Sequence, residues 1–181
     1  WGNLHGGFIW GALLLLATLA GETLSNLLDN QPQLSYSEIG ALGFWSALAL
    51  LAVSINPNGL LLWKLPFQQV EVSLAIQEWL SPDFHQFYAH PMLWLLFLLI
   101  FGLGFAQKRI SFTDLFKGLG FAYLFFFAQR NLIAYTIIIL PIVEKFLSPA
   151  VANITAAPGL QKFLERFASQ TSKGQLPQKA S

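Results

Sequence analysis

The chain has no cysteine among its 181 residues, and only 10% of its residues are charged. The absence of cysteine excludes a disulfide framework and any metal site built on thiolates. Soluble domains carry about 25% charged residues, so this sequence has too few charges to cover a globule in water. Its net charge of +1 lacks the basic footprint of nucleic-acid binding, and we expect no nucleic-acid partner. What is present instead is a chain that is 55% hydrophobic, which favours a lipid bilayer as its surroundings.

The hydrophobic residues concentrate in runs that predict an all-α integral membrane helix bundle with about five spans. The first three runs are long enough to cross a bilayer, which needs about 20 apolar residues or slightly fewer. The last two would rise only roughly 24 Å each, and three polar residues separate them. We prefer a hairpin of two short spanning helices to a pair that turns within the membrane. The runs are Leu4–Ala20, Glu38–Ile55, His90–Ala106, Thr113–Ala128 and Leu132–Leu147.

The basic residues predict how this bundle is oriented. If residues 55–91 form an extracytoplasmic loop, only Lys64 and Arg130 of the 10 lysines and arginines lie outside. This asymmetry is what the positive-inside rule expects. The first connection, Gly21–Ser37, then lies inside with Glu22 and Asp29 and no basic residue, which the rule tolerates. We therefore expect a transmembrane helical domain over residues 1–147 and a cytoplasmic amphipathic or disordered tail over residues 148–181. Within that tail the sequence predicts one short amphipathic helix over Leu160–Phe167 and a disordered end over Ser169–Ser181.

The loop contains the most polar stretch of the chain, QEWLSPDFHQFYAHP at residues 77–91. Apolar residues at helical spacing predict an interfacial amphipathic helix over Phe67–Leu80, with Trp79 at the depth where aromatic rings gather. Ser81-Pro82 is typical of a helix start and predicts a second short helix. Pro91 would end that helix before the next span.

Ionisable side chains of this stretch, together with one histidine near the chain start, are candidates for a site. Glu78 and Asp83 would serve as catalytic acid and base, as ligands for a polar substrate, or as metal ligands with His85 and His90. The alternative is a solvated loop whose acids cap helix ends. Their spacing matches no zinc signature, so we assign no metal ligand and leave a divalent metal cofactor open. His5 begins a span, where ionisable groups are costly and tend to serve a function, or else it hydrogen-bonds across helices.

Arg130 lies against the positive-inside trend, in a three-residue turn with membrane on both sides. A guanidinium group stays charged and binds phosphate through two parallel hydrogen bonds. The position therefore predicts contact with a phosphate-bearing lipid. The alternative is an arginine that extends only to lipid headgroups.

Three motifs resemble the C-terminal half of a family of bacterial polytopic proteins, the GT-C-type glycosyltransferases. They are NLHGGF at the first span, NPNG followed by EWLSPDFH after the second, and Arg130-Asn131 followed by Pro141. The resemblance covers most of residues 1–147. These integral membrane enzymes transfer a sugar from a polyprenyl phosphate on the extracytoplasmic side of the bacterial cytoplasmic (inner) membrane. Their catalytic acidic residue usually lies in the first extracytoplasmic loop. Because this chain opens at Trp1 and not at Met, we expect it to be a C-terminal portion that lacks that loop.

The resemblance implies a lipid-linked sugar donor as partner, beside the bilayer itself, and leaves the catalytic residues unassigned. The other open class is a non-enzymatic polytopic scaffold or transporter subunit. A transporter favours polar residues in mid-span, whereas the polar clusters here stand at span ends. The expected substrate-binding residues are His5, Glu78, Asp83, His85, Arg130 and Asn131.

Overall fold

The computed structural model describes residues 7–64 and 76–173, with residues 166–173 described by their backbone only. Within these ranges the chain is helical and forms no strand, so the predicted all-α bundle is confirmed. Short 3₁₀ turns at Gly59–Lys64, Gln77–Trp79, Phe87–Ala89 and Gln129–Asn131 connect the helices. The α-helices are α1 (Phe8–Leu27), α2 (Tyr36–Val53), α3 (His90–Phe105), α4 (Phe112–Phe127), α5 (Leu132–Thr155) and α6 (Pro158–Lys173).

Among the described residues, 4 helices are long and apolar enough to cross a membrane. Two of them are α1 and α2. The other two are α3 together with its preceding turn, Phe87–Phe105, and α5 together with its preceding turn, Gln129–Thr155. Large apolar side chains such as Trp45, Trp94 and Ile137 point outward from them. An exterior of this kind belongs in lipid, because soluble proteins rarely expose large continuous apolar patches. The chain is therefore an integral membrane protein.

The α4–α5 hairpin differs from the pair of equally short helices that the sequence predicts. α4 has 16 residues, fewer than any of the four long helices, so the described part of the chain holds four long apolar spans where about five were expected. α5 has 24 residues and continues past Leu147 to Thr155. Contacts with the rest of the bundle stabilise α5 beyond the apolar run that ends at Leu147. Ala150 is fully buried, and the Asn153 side-chain amide donates to the Phe105 carbonyl at 2.9 Å.

The bundle has two ends. We call the end that holds the Gln129–Asn131 turn the loop end, and the other the opposite end. α4 packs between α1 and α5, and α3 packs on α5. Two glycines allow these helices to cross closely. A Cβ on Gly21 would lie 2.4 Å from the Thr113 Cα, and one on Gly102 would lie 3.0 Å from the Phe146 carbonyl carbon.

A buried carboxylate holds the opposite end together. Glu22 is only 2% exposed. It accepts hydrogen bonds from the Thr113 hydroxyl at 2.7 Å and from the backbone N–H groups of Gln33 and Leu34 at 2.9 and 3.1 Å. The α1–α2 connection is thereby closed against the start of α4. Sequence reasoning had placed Glu22 in that connection without assigning it a contact.

Two predicted helices around the polar stretch are changed. Of the interfacial helix expected over Phe67–Leu80, residues 67–75 lie outside the described residues, and Gln77–Trp79 form a single 3₁₀ turn. The helix expected at Ser81-Pro82 is wrong, because that segment is irregular up to the Phe87–Ala89 turn. Pro91 does not end a helix but stands in the first turn of α3, where its missing N–H would have no helical partner anyway.

The predicted amphipathic helix over Leu160–Phe167 is present but longer. α6 runs from Pro158 to Lys173, so Ser169–Lys173 are helical where a disordered tail was expected. Residues 174–181 lie outside the described residues.

Candidate functional site

The Gln129–Asn131 turn is joined to the polar stretch by hydrogen bonds at the loop end. The backbone N–H of Gln129 donates to the Leu80 carbonyl at 2.9 Å, and its side-chain amide donates to the Gln77 carbonyl at 2.7 Å. The Tyr88 hydroxyl donates to the Gln129 side-chain oxygen. Two segments that are distant in sequence thus form one surface, and Glu78 and Trp79 are placed beside Arg130.

Arg130 stacks on an aromatic ring. Its Cζ atom lies 3.9 Å from the centre of the Trp79 ring and 6.0 Å from that of Trp10. Such a cation–π contact is worth about 0.5–1 kcal/mol at exposed sites and about 2 kcal/mol when desolvated. Among the described residues Arg130 forms no ion pair. Stacking uses the flat face of the guanidinium, so the N–H donors in its plane remain able to bind an anion.

An apolar groove of about 690 Å³ lies beside this arginine. Residues of α1, α2 and α5 and Phe121 of α4 line it. The volume is in the range of about 300–1,000 Å³ that is usual for small-molecule sites. Glu78 and Arg130 are the charged residues among the described ones that line it. The remaining lining residues are Gly7, Phe8, Trp10, Gly11, Ala12, Leu14, Leu15, Ala49, Leu50, Val53, Ile133, Ala134, Ile137 and Ile138.

This arrangement suits an amphiphile. An apolar chain can lie between the helices, and a polar group can reach the loop end, where Arg130 and Glu78 both line the groove. The Trp79 ring restricts the Arg130 side chain, so less conformational entropy of that side chain is lost when an anion binds to it. A neutral or singly anionic headgroup with hydroxyls fits this pair of charges better than a cation or a purely apolar end.

Asp83 and His85 are paired with each other at the surface. Asp83 Oδ1 accepts the His85 backbone N–H at 2.9 Å and lies 3.0 Å from His85 Nδ1. Their side chains are 52% and 97% exposed. The hydrogen bonds from His85, its backbone N–H first, hold the pKa of the Asp83 carboxyl below its ordinary value. This is a local turn of the kind that aspartate forms with its own backbone, and a substrate role for either residue stays a prediction.

Asn131 has a structural contact in the hairpin. It is buried, and its side-chain amide donates to the Leu124 carbonyl at 2.7 Å, in the last turn of α4. The same carbonyl also accepts the Ala128 N–H at 3.0 Å, so the Asn131 amide is a second donor that ties the turn to the end of α4. His90 likewise lies with Nε2 3.0 Å from the Phe84 carbonyl oxygen. His5 lies outside the described residues.

The four ionisable residues of the polar stretch are therefore dispersed. Glu78 lines the groove, Asp83 and His85 pair at the surface, and His90 bonds to the backbone. In the part of the chain that the structure describes, no three histidine, aspartate or glutamate side chains come together as metal ligands. The question of a metal cofactor stays open.

Trp10 is the site residue that sequence reasoning did not single out. It belongs to a stripe on α1 that also includes Gly7, Gly11 and Leu14 and faces the groove. Residues 7, 10, 11 and 14 follow one another at spacings of three, one and three residues, which places them on one helix face. The stripe is readable in the sequence, but α1 is apolar all round, so nothing in the sequence distinguishes this face from the others.

Comparison with protein-family models, with curated proteins and with solved structures returns no match for this chain. The function is therefore argued from the geometry of the loop end and the groove.

Proposed function

We propose that the groove binds a polyprenyl-phosphate-linked sugar, and that the chain is the C-terminal portion of a membrane glycosyltransferase that uses this donor. The loop end would lie on the extracytoplasmic side of the bacterial cytoplasmic membrane, as the distribution of basic residues favours. One observation carries the proposal. Arg130, a fixed and unpaired cation among the described residues, stands where an apolar groove meets the polar end of the bundle.

The headgroup would decide which lipid binds. A lipid tail that leaves the bilayer for an apolar groove exchanges one apolar environment for another and gains little hydrophobic free energy. A hydrogen bond that involves a charged group contributes about 1.5–3 kcal/mol. The contact between Arg130 and a phosphate would therefore contribute most of the selectivity, and the groove would select for the shape of the tail.

Glu78 would act on the other part of the headgroup. Its carboxylate lines the same groove as Arg130, and it would repel a second anionic group. It would accept hydrogen bonds from hydroxyls, so a single phosphate directed at Arg130 and a sugar directed at Glu78 satisfy both residues. A sugar phosphate has this arrangement of charge and hydroxyls.

In the transfer step an acceptor oxygen would attack the anomeric carbon. The bond between that carbon and the phosphate oxygen would break, and its electron pair would pass to the lipid phosphate. Arg130 would stabilise the charge that develops there. The acceptor proton would go to a carboxylate base, which the resemblance places in the upstream extracytoplasmic loop.

The test uses the full-length protein in nanodiscs with a photoactivatable polyprenyl phosphate. We expect labelling of groove residues on α1 and α5, with competition by a polyprenyl-phosphate sugar. A polyprenyl alcohol of the same length should compete poorly because it lacks the phosphate. Phosphatidic acid, which has a phosphate but different tails, should compete better than the alcohol and less well than the polyprenyl-phosphate sugar. Equal competition by the alcohol would contradict a phosphate site at Arg130.

The second candidate is a non-enzymatic lipid-binding scaffold or transporter subunit. The dispersal of the carboxylates favours it, since Glu78 alone among the described acidic residues lines the groove. The same nanodiscs distinguish the two, because an enzyme consumes a radiolabelled polyprenyl-phosphate sugar when acceptor is supplied in a membrane extract. A scaffold would bind the donor and leave it intact.

A further inference from the structure

α6 carries an apolar stripe along an otherwise polar helix. Leu160, Phe163, Leu164 and Phe167 follow one another at spacings of three, one and three residues, which places them on one helix face. Phe163 is 60% and Leu164 51% exposed. Gln161, Lys162, Glu165 and Arg166 occupy the positions between them. Exposed apolar side chains such as Phe163 and Leu164 are typical of a helix that lies against another surface.

The place of α6 in the fold indicates which surface. α6 begins at Pro158, just after α5 ends at Thr155. At 1.5 Å per residue α5 is about 36 Å long, which exceeds the hydrocarbon core of about 30 Å. Its last turn therefore reaches the membrane–water boundary at the opposite end, and the short connection keeps the start of α6 at that depth. The exposed Val151 of α5 continues the apolar exterior toward α6.

The charge of α6 agrees with this depth. Lys162, Arg166 and Lys173 stand against one acidic residue, Glu165. A basic polar face opposite an aromatic and aliphatic stripe is the pattern of helices that lie in the headgroup region of anionic bilayers. Lysine and arginine side chains there reach out to the lipid phosphates while their stems remain near apolar surface.

We propose that α6 is an interfacial helix that binds the anionic bilayer surface at the opposite end of the bundle. Its apolar stripe inserts at the acyl boundary, and its basic residues contact headgroup phosphates. This inference does not depend on the proposed function of the groove. It predicts a lipid contact at the end of the bundle away from Arg130.

The chain has no cysteine, which makes single-cysteine spin labelling direct. Phe163→Cys and Leu164→Cys sample the stripe, and Gln161→Cys and Glu165→Cys are the matched controls. Each full-length variant is labelled with a nitroxide in vesicles of phosphatidylglycerol and phosphatidylcholine. Accessibility to oxygen, which partitions into lipid, is compared with accessibility to a water-soluble nickel chelate.

We expect the oxygen-to-nickel ratio to be several times higher at residues 163 and 164 than at 161 and 165. Replacing phosphatidylglycerol with phosphatidylcholine alone should reduce that difference. The same ratio at all four positions would overturn the proposal. So would low accessibility to both reagents at residues 163 and 164, which would show a protein contact, and spin–spin broadening there would identify the occupant as a second copy of the chain.

Discussion

The guanidinium carbon of Arg130 lies 3.9 Å from the centre of the Trp79 ring, although the two residues belong to segments far apart in the sequence. The hydrogen bonds of Gln129 to Gln77 and Leu80 hold those segments together. Because the ring fixes the plane of the guanidinium, it also fixes the direction of its N–H donors. The Trp79 ring therefore restricts the orientation of the half-buried Arg130 guanidinium where it lines the groove.

Replacing Trp79 tests whether the ring orients the arginine. We expect Trp79→Ala to weaken lipid-phosphate binding by about 2-fold to 30-fold, the equivalent of about 0.5–2 kcal/mol for a cation–π contact. Trp79→Phe should lose less, since phenylalanine keeps an aromatic face. The measurement is the dissociation constant for polyprenyl phosphate in nanodiscs. Trp94→Ala, at an exposed ring on α3, is the control and should bind normally. Normal binding by Trp79→Ala would show that Arg130 needs no ring.

Gly21 tests the crossing of α1 and α4. The methyl group of Gly21→Ala would lie 2.4 Å from the Thr113 Cα, so the helices must separate. We expect a loss of about 1–3 kcal/mol in the free energy of unfolding, as for other overpacked sites. Gly40→Ala is the matched control, because its methyl group meets nothing within 4 Å. Alanine is favoured over glycine in helices by about 1 kcal/mol, so this variant should be slightly more stable.

Thermal unfolding of both variants in detergent micelles gives the comparison. A Gly21→Ala variant as stable as the parent chain would contradict the described packing of α1 on α4. A destabilised Gly40→Ala would contradict the open space described around Gly40.

Asp83 tests whether the exposed pair belongs to the site. Hydrogen bonds from His85 lower the pKa of its carboxyl, so the turn is fully stabilised above the ordinary value of 3.8. That stabilisation is lost as the pH falls through the lowered pKa. At neutral pH we expect Asp83→Asn to leave lipid-phosphate affinity unchanged within twofold, since the pair is exposed and bonded to itself. Titration of the Asp83 carboxyl by NMR checks the lowered pKa. A large loss of lipid-phosphate affinity in Asp83→Asn would show that Asp83 contributes to the site.

The sequence was sufficient for the class of fold, and it singled out Arg130 and Glu78, which both line the groove. Long apolar runs are legible because a membrane helix must be apolar along its length. Arg130 was legible because a charge in a short turn between two such runs is costly and rare. The contact of Arg130 with the Trp79 ring was not predicted from the sequence, since it depends on how two distant loops fold together.

Polar residue types did not reveal their partners. The substrate roles predicted for Asn131 and Asp83 stay predictions, and the structure adds a hydrogen bond of each side chain to the backbone that the sequence did not predict. Glu22 is another example. It was taken as part of a connection, and the close crossing at Gly21 buries it against Thr113. Burial of this kind follows from helix crossing, which no local pattern around Glu22 predicts.

The central claim is that Arg130 binds a lipid phosphate through its planar donors. The most direct measurement compares the dissociation constants of polyprenyl phosphate for the parent protein, Arg130→Lys and Arg130→Ala in nanodiscs. Losing a charge-assisted contact of about 1.5–3 kcal/mol should weaken binding by about 10-fold to 100-fold. We expect Arg130→Lys to be nearly as poor as Arg130→Ala, because an ammonium group cannot reproduce the two parallel hydrogen bonds. A lysine variant that binds as tightly as the parent would contradict the account.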